Sequence, residues 1–244
     1  MPEGVESETY WQWLSQAPPH VQLHHLMAGY WISAAIGVAA ELHLADLLAE
    51  GARGSTDVAR MTGTHPAALY RLLRTLASVG LFTEVEPGRF ALTEMGGLLR
   101  TDHPKSLHGL TRYNCGETQW RRFGALRQSI ETGQSVDLHV FGVRMRTYWA
   151  DHPEGRAIFD AAMRSTAVQV LDAVVRAYDF SSFHTVVDVG GGTGALLSAI
   201  VSITPGLQGV LFDLPEVVER AQSSLASAGV LDRCEVVGGD MFIV

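Results

Sequence analysis

A carboxylate stands just before a glycine-rich turn in residues 186–194, which read Val-Val-Asp-Val-Gly-Gly-Gly-Thr-Gly. The apolar residues before the turn predict a β-strand, and those after it predict a helix. Glycines let the backbone approach a bound molecule closely, and the start of a helix presents unpaired N–H groups. Residues 190–195 also fit the loose nucleotide-binding pattern GxGxxA. However, Asp188 would repel a pyrophosphate and would attract a cationic cofactor, such as the ammonium and sulfonium of S-adenosylmethionine (SAM).

Two further carboxylates, Asp213 and Asp240, follow the next two predicted strands. A carboxylate at a strand end can accept both ribose hydroxyl protons, which is the role expected for Asp213. Asp240 is expected to bind an adenine amino group, with Met241 or Phe242 packed on the ring. Each carboxylate alone could equally cap a helix or lie in a solvated turn. Three at successive strand ends predict one crevice, because ligands of open α/β sheets bind outside these ends.

Three strings, VVDVGGGTGALL, FDLPEVVERA and GGDMF, occur in this order behind a helical N-terminal half. They resemble the SAM-dependent O-methyltransferases of the dimeric plant-type family, which includes bacterial members that modify aromatic natural products. The resemblance implies methyl transfer from SAM to a hydroxyl of a small, aromatic substrate. It also implies that the cofactor is held by Asp188, Gly190, Gly191, Gly192, Asp213, Leu214, Asp240, Met241 and Phe242.

The fold that the resemblance implies is α/β and has two domains. A mostly helical N-terminal winged-helix dimerisation domain precedes an incomplete Rossmann-like class I methyltransferase domain. We expect the dimerisation domain at residues 1–105, a helical connector and substrate-pocket wall at 106–180, and the first three strands of the SAM-binding domain at 181–244.

The general base of the family is a histidine that the resemblance places after the GDMF string, beyond Val244. We therefore expect an incomplete polypeptide, since three strands would leave one sheet edge and the apolar faces bare. His184 is expected at the opposite end of the first strand, and His139 and His152 are expected at the surface or in loops. No catalytic residue is therefore assigned within the 244 residues.

Residues 106–180 are predicted to be mostly helical, with one long helix from about Pro153 to Tyr178 whose apolar residues face inward. The resemblance implies that Trp149, Phe159 and Met163 border the acceptor pocket, where aromatic and methionine side chains sandwich a flat substrate. An apolar stripe at helical spacing predicts core packing equally well, so both interpretations stay open.

Residues 54–100 predict two short helices and a hairpin that turns at Pro87-Gly88, the pattern of a winged helix. Such a unit can bind DNA. Its five arginines are opposed by four acidic residues, however. Arg71 and Arg74 on the second helix are too small a basic surface for phosphate binding, so a structural or dimerising role is favoured.

Residues 17–40 contain no charged side chain, which raises the question of a membrane span. Proline, histidine and glutamine interrupt the first part, and the apolar run Leu26 to Ala40 is shorter than the ~20 residues that a bilayer needs. We therefore expect a buried helix in a homodimer interface rather than a membrane segment. The first residues, Met1-Pro2-Glu3-Gly4, lack the basic and apolar regions of a signal peptide.

Composition indicates an ordinary globular protein, with 47% hydrophobic residues and a formal net charge of −8. This charge argues against a general affinity for nucleic acid or anionic membranes. Cys115 and Cys234 are far apart and predict reduced thiols in the cytoplasm. His20, His24 and His25 have no carboxylate nearby, so no metal site is predicted.

Three other functions stay open. A winged-helix regulator that senses a small ligand would bind DNA, and a non-methylating enzyme on the same scaffold would lack a base near the methyl group. A nicotinamide-dependent oxidoreductase would bind NAD, which Asp188 disfavours.

Overall fold

The computed structural model describes residues 15–243, except for the side chains of Arg146, Val168, Gln169 and Asp172. It divides the chain into two compact units, one ending at Ala162 and the other beginning at Met163. The three-part division at 1–105, 106–180 and 181–244 stays a prediction, and Met1–Gly4 lies outside the described residues. Within residues 15–243, no helix combines the length and apolarity that a bilayer crossing requires.

The first unit is mostly helical. Its helices and strands are α1 (Pro19–Glu41), α2 (Leu44–Leu47), β1 (Arg53–Gly54), α3 (Ser55–Thr62), α4 (Pro66–Ser78), β2 (Phe82–Glu86), β3 (Arg89–Leu92), α5 (Glu94–Gly97), α6 (His108–Asn114), α7 (Glu117–Gly124), α8 (Leu126–Thr132), α9 (Asp137–Phe141) and α10 (Met145–Asp151). A long helix, α11 (Pro153–Ala177), begins in this unit and continues into the second.

The two helices and the hairpin predicted for residues 54–100 are present as α3, α4, β2 and β3. The structure adds one short strand, β1, so that the antiparallel sheet has the order β1-β3-β2. Two residues are too few to give an alternating pattern, which is why the sequence did not predict this strand. The core under the sheet contains Leu73, Leu76, Phe82 and Phe90, all almost completely buried.

Helix α1 buries only its C-terminal end, at Gly37, Ala39 and Ala40. Its N-terminal half leaves one stripe of large apolar side chains exposed, at positions that recur with helical spacing: Leu23, Leu26, Met27, Tyr30 and Trp31. A stripe with this spacing forms one continuous face of a helix.

The second unit follows the alternating order that the sequence predicts. After α11 come β4 (Thr185–Val189), α12 (Ala195–Ile203), β5 (Gln208–Asp213), α13 (Pro215–Ser227), a 3₁₀ turn (Leu231–Arg233) and β6 (Cys234–Gly238). The three strands are parallel in the order β4-β5-β6. The α/β fold class is thereby confirmed.

One face of this sheet is covered by α12 and α13, whose side chains share a core with Leu211 of the central strand. On the other face, Val187 and Val189 are each 56% exposed. Among the described residues β4 pairs only with β5, so its second edge has no strand partner. A bare edge and a bare apolar face are what the sequence predicts for a sheet of three strands.

The long helix lies where the sequence predicts it, but one part of that prediction is wrong. Met163 and Val170 were expected to face inward and are 42% and 49% exposed. The residue before Met163, Ala162, is fully buried. Successive helical residues are rotated by about 100° around the axis, so the residue next to a buried position leaves the buried stripe.

Candidate functional site

The glycine turn after β4 is attached to the end of the neighbouring strand by backbone hydrogen bonds. The N–H groups of Gly190 and Gly191 donate to the carbonyl oxygen of Phe212, at 2.8 and 3.4 Å. Gly192 has a φ of +60°, which side-chain-bearing residues rarely adopt, and a Cβ added there would meet open space. The turn therefore holds a backbone conformation specific to glycine beside an open region.

Asp213, the last residue of β5, connects the glycine turn to the next strand ends. Its Oδ2 accepts a hydrogen bond from the N–H of Gly192 at 2.8 Å, and its Oδ1 accepts one from the N–H of Leu214 at 2.7 Å. Its carbonyl oxygen accepts from the N–H of Gly239 at 2.9 Å. An ionised carboxylate has about four acceptor positions, so two bonds leave capacity for ribose hydroxyls. This bond to the turn could not be predicted from the sequence, because turn geometry alone brings Gly192 to Asp213.

Asp188 lies on the same sheet face as Asp213, under the glycine turn. Its Oδ2 atom is buried and has no hydrogen-bond partner. Burial raises the pKa of this carboxyl, and the negative charge of Asp213 adds to the rise, while a hydrogen bond from the backbone of Leu197 acts in the opposite direction. A Cβ at Gly191 would lie 2.8 Å from the Asp188 carboxyl, so a larger residue there would displace this side chain. A cationic group beside Asp188 would offset the cost of burying this carboxylate.

Of the three predicted residues after β6, Met241 is the one that lies against the glycine turn. The terminal methyl carbon of Met241 is 3.6 Å from the position of a Cβ at Gly190, so Met241 lies against the glycine turn. Asp240 accepts a hydrogen bond from the N–H of Phe242 at 3.0 Å, which is the turn-capping role considered above. Phe242 is 88% exposed.

The predicted acceptor wall is only partly assembled within one unit. Trp149 is 7% exposed, and its ring stacks with that of Phe159 at a centroid distance of 6.2 Å. Tyr113 makes an edge contact with the Phe159 ring at a centroid distance of 5.5 Å. Gly155 contacts the Trp149 ring, and a Cβ there would overlap it. Met163 belongs to the second unit, so its role in the wall stays a prediction.

The three histidines considered as substitute bases, His139, His152 and His184, are all exposed. The His152 ring is stacked on Tyr148 at 3.8 Å, and its Nδ1 atom lies 2.8 Å from the Tyr148 carbonyl oxygen. In the described part of the chain, no three His, Cys, Asp or Glu side chains are grouped so that they could hold a metal ion.

A parallel sheet whose glycine turn and two carboxylates meet at the strand ends is the arrangement of a nucleoside-binding α/β protein. Comparison with known proteins is more specific. A family model described as an O-methyltransferase domain matches residues 123–244, and one described as an O-methyltransferase dimerisation domain matches residues 24–102. The chain therefore belongs to the O-methyltransferase family.

Individual relatives agree with this assignment. Phenazine O-methyltransferase PhzM of Lysobacter antibioticus is 42% identical over 221 residues, which cover 91% of this chain and 64% of that protein. The crystal structure of LaPhzM matches with a TM-score of 0.86 and 42% identity, covering 93% of this chain and 68% of that one. The SAH-bound form of CalO1, a methyltransferase in calicheamicin biosynthesis, matches with a TM-score of 0.77 and 32% identity over 91% of this chain and 66% of its own.

Proposed function

We propose that this protein is a SAM-dependent O-methyltransferase that methylates a hydroxyl of a small aromatic natural product. The observation that carries the proposal is the buried, unpartnered oxygen of Asp188 beside the glycine turn. A carboxylate in this position favours a cationic ligand and opposes a pyrophosphate. The membership of the chain in the O-methyltransferase family and the SAH-bound relative support the same cofactor.

The residues at the strand ends fit the parts of SAM. Asp188 and the backbone of Gly190–Gly192 would hold the charged methionine end, and Asp213 would accept the ribose hydroxyls next to Leu214. Asp240, Met241 and Phe242 would border the adenine. The cofactor, when bound, supplies an electrophilic methyl group on a sulfonium. The protein orients the two reactants and excludes water, which can contribute on the order of 7 kcal/mol or more in favourable cases.

We propose an aromatic acceptor bordered by Trp149, Phe159 and Met163. The stacked pair Trp149–Phe159 supports a flat pocket wall, and the name of the phenazine-methylating relative supports a ring-bearing substrate. A phenol has a pKa near ~10, so fast transfer at neutral pH requires a base. No base is proposed among residues 1–244, and the histidine beyond Val244 that the resemblance implies stays a prediction.

The N-terminal half is proposed to form a homodimer through a winged-helix dimerisation domain. The exposed apolar stripe of α1 supports this, because water-exposed aromatic side chains at one helical face are typical of an interface. Arg74 on α4 lies 3.6 Å from Glu84 of β2, so one of the two arginines available for DNA is already paired. A cytoplasmic location is also proposed, and the two free cysteines support it.

Calorimetry of the purified protein with SAM, S-adenosylhomocysteine and NAD tests the cofactor assignment. We expect both adenosyl compounds to bind and NAD not to bind. Transfer of a labelled methyl group from SAM to a panel of hydroxylated aromatic compounds tests the reaction. Binding of NAD in preference to SAM, or methylation of an amine but of no hydroxyl, would contradict the proposal.

A further inference from the structure

A small cavity lies within the first unit, in the groove between α6 and α11. The two helices cross closely where Gly109 meets Ala161: a Cβ at Gly109 would lie 2.8 Å from the carbonyl carbon and oxygen of Ala161. Beside this crossing is a cavity of about 160 Å³, lined by His108, Gly109, Arg112, Glu154, Ala157, Ile158 and Ala161. Its volume is about half of the ~300 Å³ at which pockets for drug-sized ligands begin, so it suits a very small molecule.

Arg112 contributes an unsatisfied cation to this cavity. Its Nε atom is buried and has no hydrogen-bond partner. No carboxylate among the side chains that the structure describes forms an ion pair with it, whereas Arg156 pairs with Asp160 at 2.9 Å. A buried guanidinium N–H without an acceptor is costly, and a bidentate carboxylate is the partner that its geometry fits best.

Glu154, in the first turn of α11, contributes the opposite charge to the same cavity. No ion pair joins it to Arg112 or to any other side chain that the structure describes. A simple anion bound to Arg112 would be repelled by this carboxylate. The cavity therefore offers separate positions for a negative and a positive group.

The remaining lining is neutral. His108 lies 3.0 Å through its Nε2 atom from the carbonyl oxygen of Ala40, so this nitrogen carries the proton and donates. Burial lowers the pKa of the His108 ring, which keeps it uncharged at neutral pH. Ala157, Ile158 and Ala161 form an apolar floor.

We propose that this groove binds a small zwitterionic amino acid with an apolar side chain. Its carboxylate pairs with Arg112, its ammonium group pairs with Glu154, and its side chain packs on Ile158. This site is formed by α6 and α11 alone, and it does not depend on the proposed methyl transfer.

Calorimetry with glycine, L-alanine, L-valine and L-leucine tests the proposal, with propionate and isobutylamine as probes that carry only one of the two charges. We expect an apolar amino acid to bind with a Kd on the order of 1 mM, as suits a ligand of this size. Both single-charge probes should bind at least about tenfold more weakly, because each pairs with only one of the two charged side chains.

Two variants separate ligand binding from a structural role. Arg112→Met should abolish amino-acid binding while the unfolding temperature stays the same or rises, because an unsatisfied buried group is removed. Glu154→Gln should weaken amino-acid binding about tenfold and leave propionate binding unchanged or stronger. The control Arg127→Met, at an exposed position on α8, should alter neither.

Three results would overturn the proposal: no binding of any amino acid to the protein, unchanged binding by Arg112→Met, or a clear loss of stability in that variant. SAM titrated in the same samples reports on the methyltransferase assignment separately, since all of these substitutions lie in the first unit and the strand ends belong to the second.

Discussion

Two regions of this protein each bury a charged side-chain atom without a partner, Asp188 Oδ2 in the second unit and Arg112 Nε in the first. Asp188 lies at the end of a strand, fixed by the backbone of a glycine turn. Arg112 lies on a helix, in a groove that exists because Gly109 lets α6 approach α11. Both atoms carry a desolvation cost that a ligand of opposite charge would offset. An unpaired buried atom therefore lowers the stability of the fold at both places, although one lies at a strand end and the other on a helix.

The difference shows what kind of site a sequence reveals. The surroundings of Asp188 are local, since a strand, a carboxylate and a glycine turn follow each other within ten residues. The surroundings of Arg112 are not local, because Glu154 is 42 positions away and joins it only when the helices cross. A lone arginine in the string HGLTRYN has no pattern that distinguishes it from a solvent-exposed one.

The largest expected effect is that of Gly109→Ala in the helix groove. The new Cβ would meet backbone atoms of Ala161 at 2.8 Å, and backbone cannot move aside as a side chain can. We expect a loss of about 3 kcal/mol in the free energy of unfolding, at the upper end for overpacking. Denaturant unfolding followed by circular dichroism measures it. A loss below 0.5 kcal/mol would show that the groove adapts and is not rigid.

Gly191→Ala makes the matching change beside Asp188, where we expect a smaller loss of stability. Here the Cβ meets the end of the Leu211 side chain and the Asp188 carboxyl, which can rotate away. We expect a loss of about 1 kcal/mol in the free energy of unfolding. We also expect SAM affinity to fall about tenfold or more, because the displaced carboxylate no longer faces the ligand.

Gly124→Ala is the control for both glycine substitutions. Gly124 ends α7, and a Cβ there would meet no atom within 4 Å. Unfolding should be unchanged or slightly more costly, and SAM affinity should be unchanged. Equal losses for Gly109→Ala and Gly191→Ala would contradict the distinction between backbone and side-chain neighbours.

Phe159→Leu tests whether the aromatic wall and the groove on α11 are separate. The substitution removes two ring contacts, with Trp149 and Tyr113, and should cost about 1 kcal/mol. We expect a higher KM for an aromatic acceptor, with SAM affinity and amino-acid binding in the groove unchanged. Steady-state kinetics at saturating SAM, alongside calorimetry, measures both. A parallel loss of amino-acid binding would show that the two regions are coupled.

Helices and strands were predicted well from the sequence where glycine or proline marks their ends. The helix predicted after the glycine turn is present as α12, because a glycine at φ +80° precedes Ala195 and Pro205-Gly206 follows Ile203. Prediction failed where tertiary contacts decide. The inward orientation of Met163 was wrong, since the boundary of a buried stripe depends on what packs against the helix.

The candidate site divides in the same way. Asp188 and Asp213 could be predicted at one edge, because parallel strands end together. The hydrogen bond from Gly192 to Asp213 could not, since it depends on how the turn folds back over β5. Binding measurements on variants test whether the predicted residues bind SAM. The most informative variant is the one with the smallest expected effect on stability.

That variant is Asp188→Asn. Burial raises the pKa of Asp188 above the ordinary 3.8, so the folded protein holds the ionised form less favourably than the unfolded chain does. The contribution of this carboxyl to stability is therefore greatest below pH 3.8 and is lost as the pH rises through the raised pKa. Relative to the variant, the unmodified protein should lose stability as the pH rises from 3.8 through the raised pKa of Asp188. Above that pKa the difference in stability should stay constant.

At pH 7 without ligand, Asp188→Asn should unfold at the same or a slightly higher temperature, while its SAM affinity falls by about tenfold. Thermal unfolding from pH 3 to 7, with and without SAM, measures both effects in one series. Higher stability with weaker binding means that Asp188 is retained for its ligand. Lower stability of the variant at every pH would mean that Asp188 serves the fold instead, and Arg112 would then be the one orphaned charge of the pair that awaits a partner.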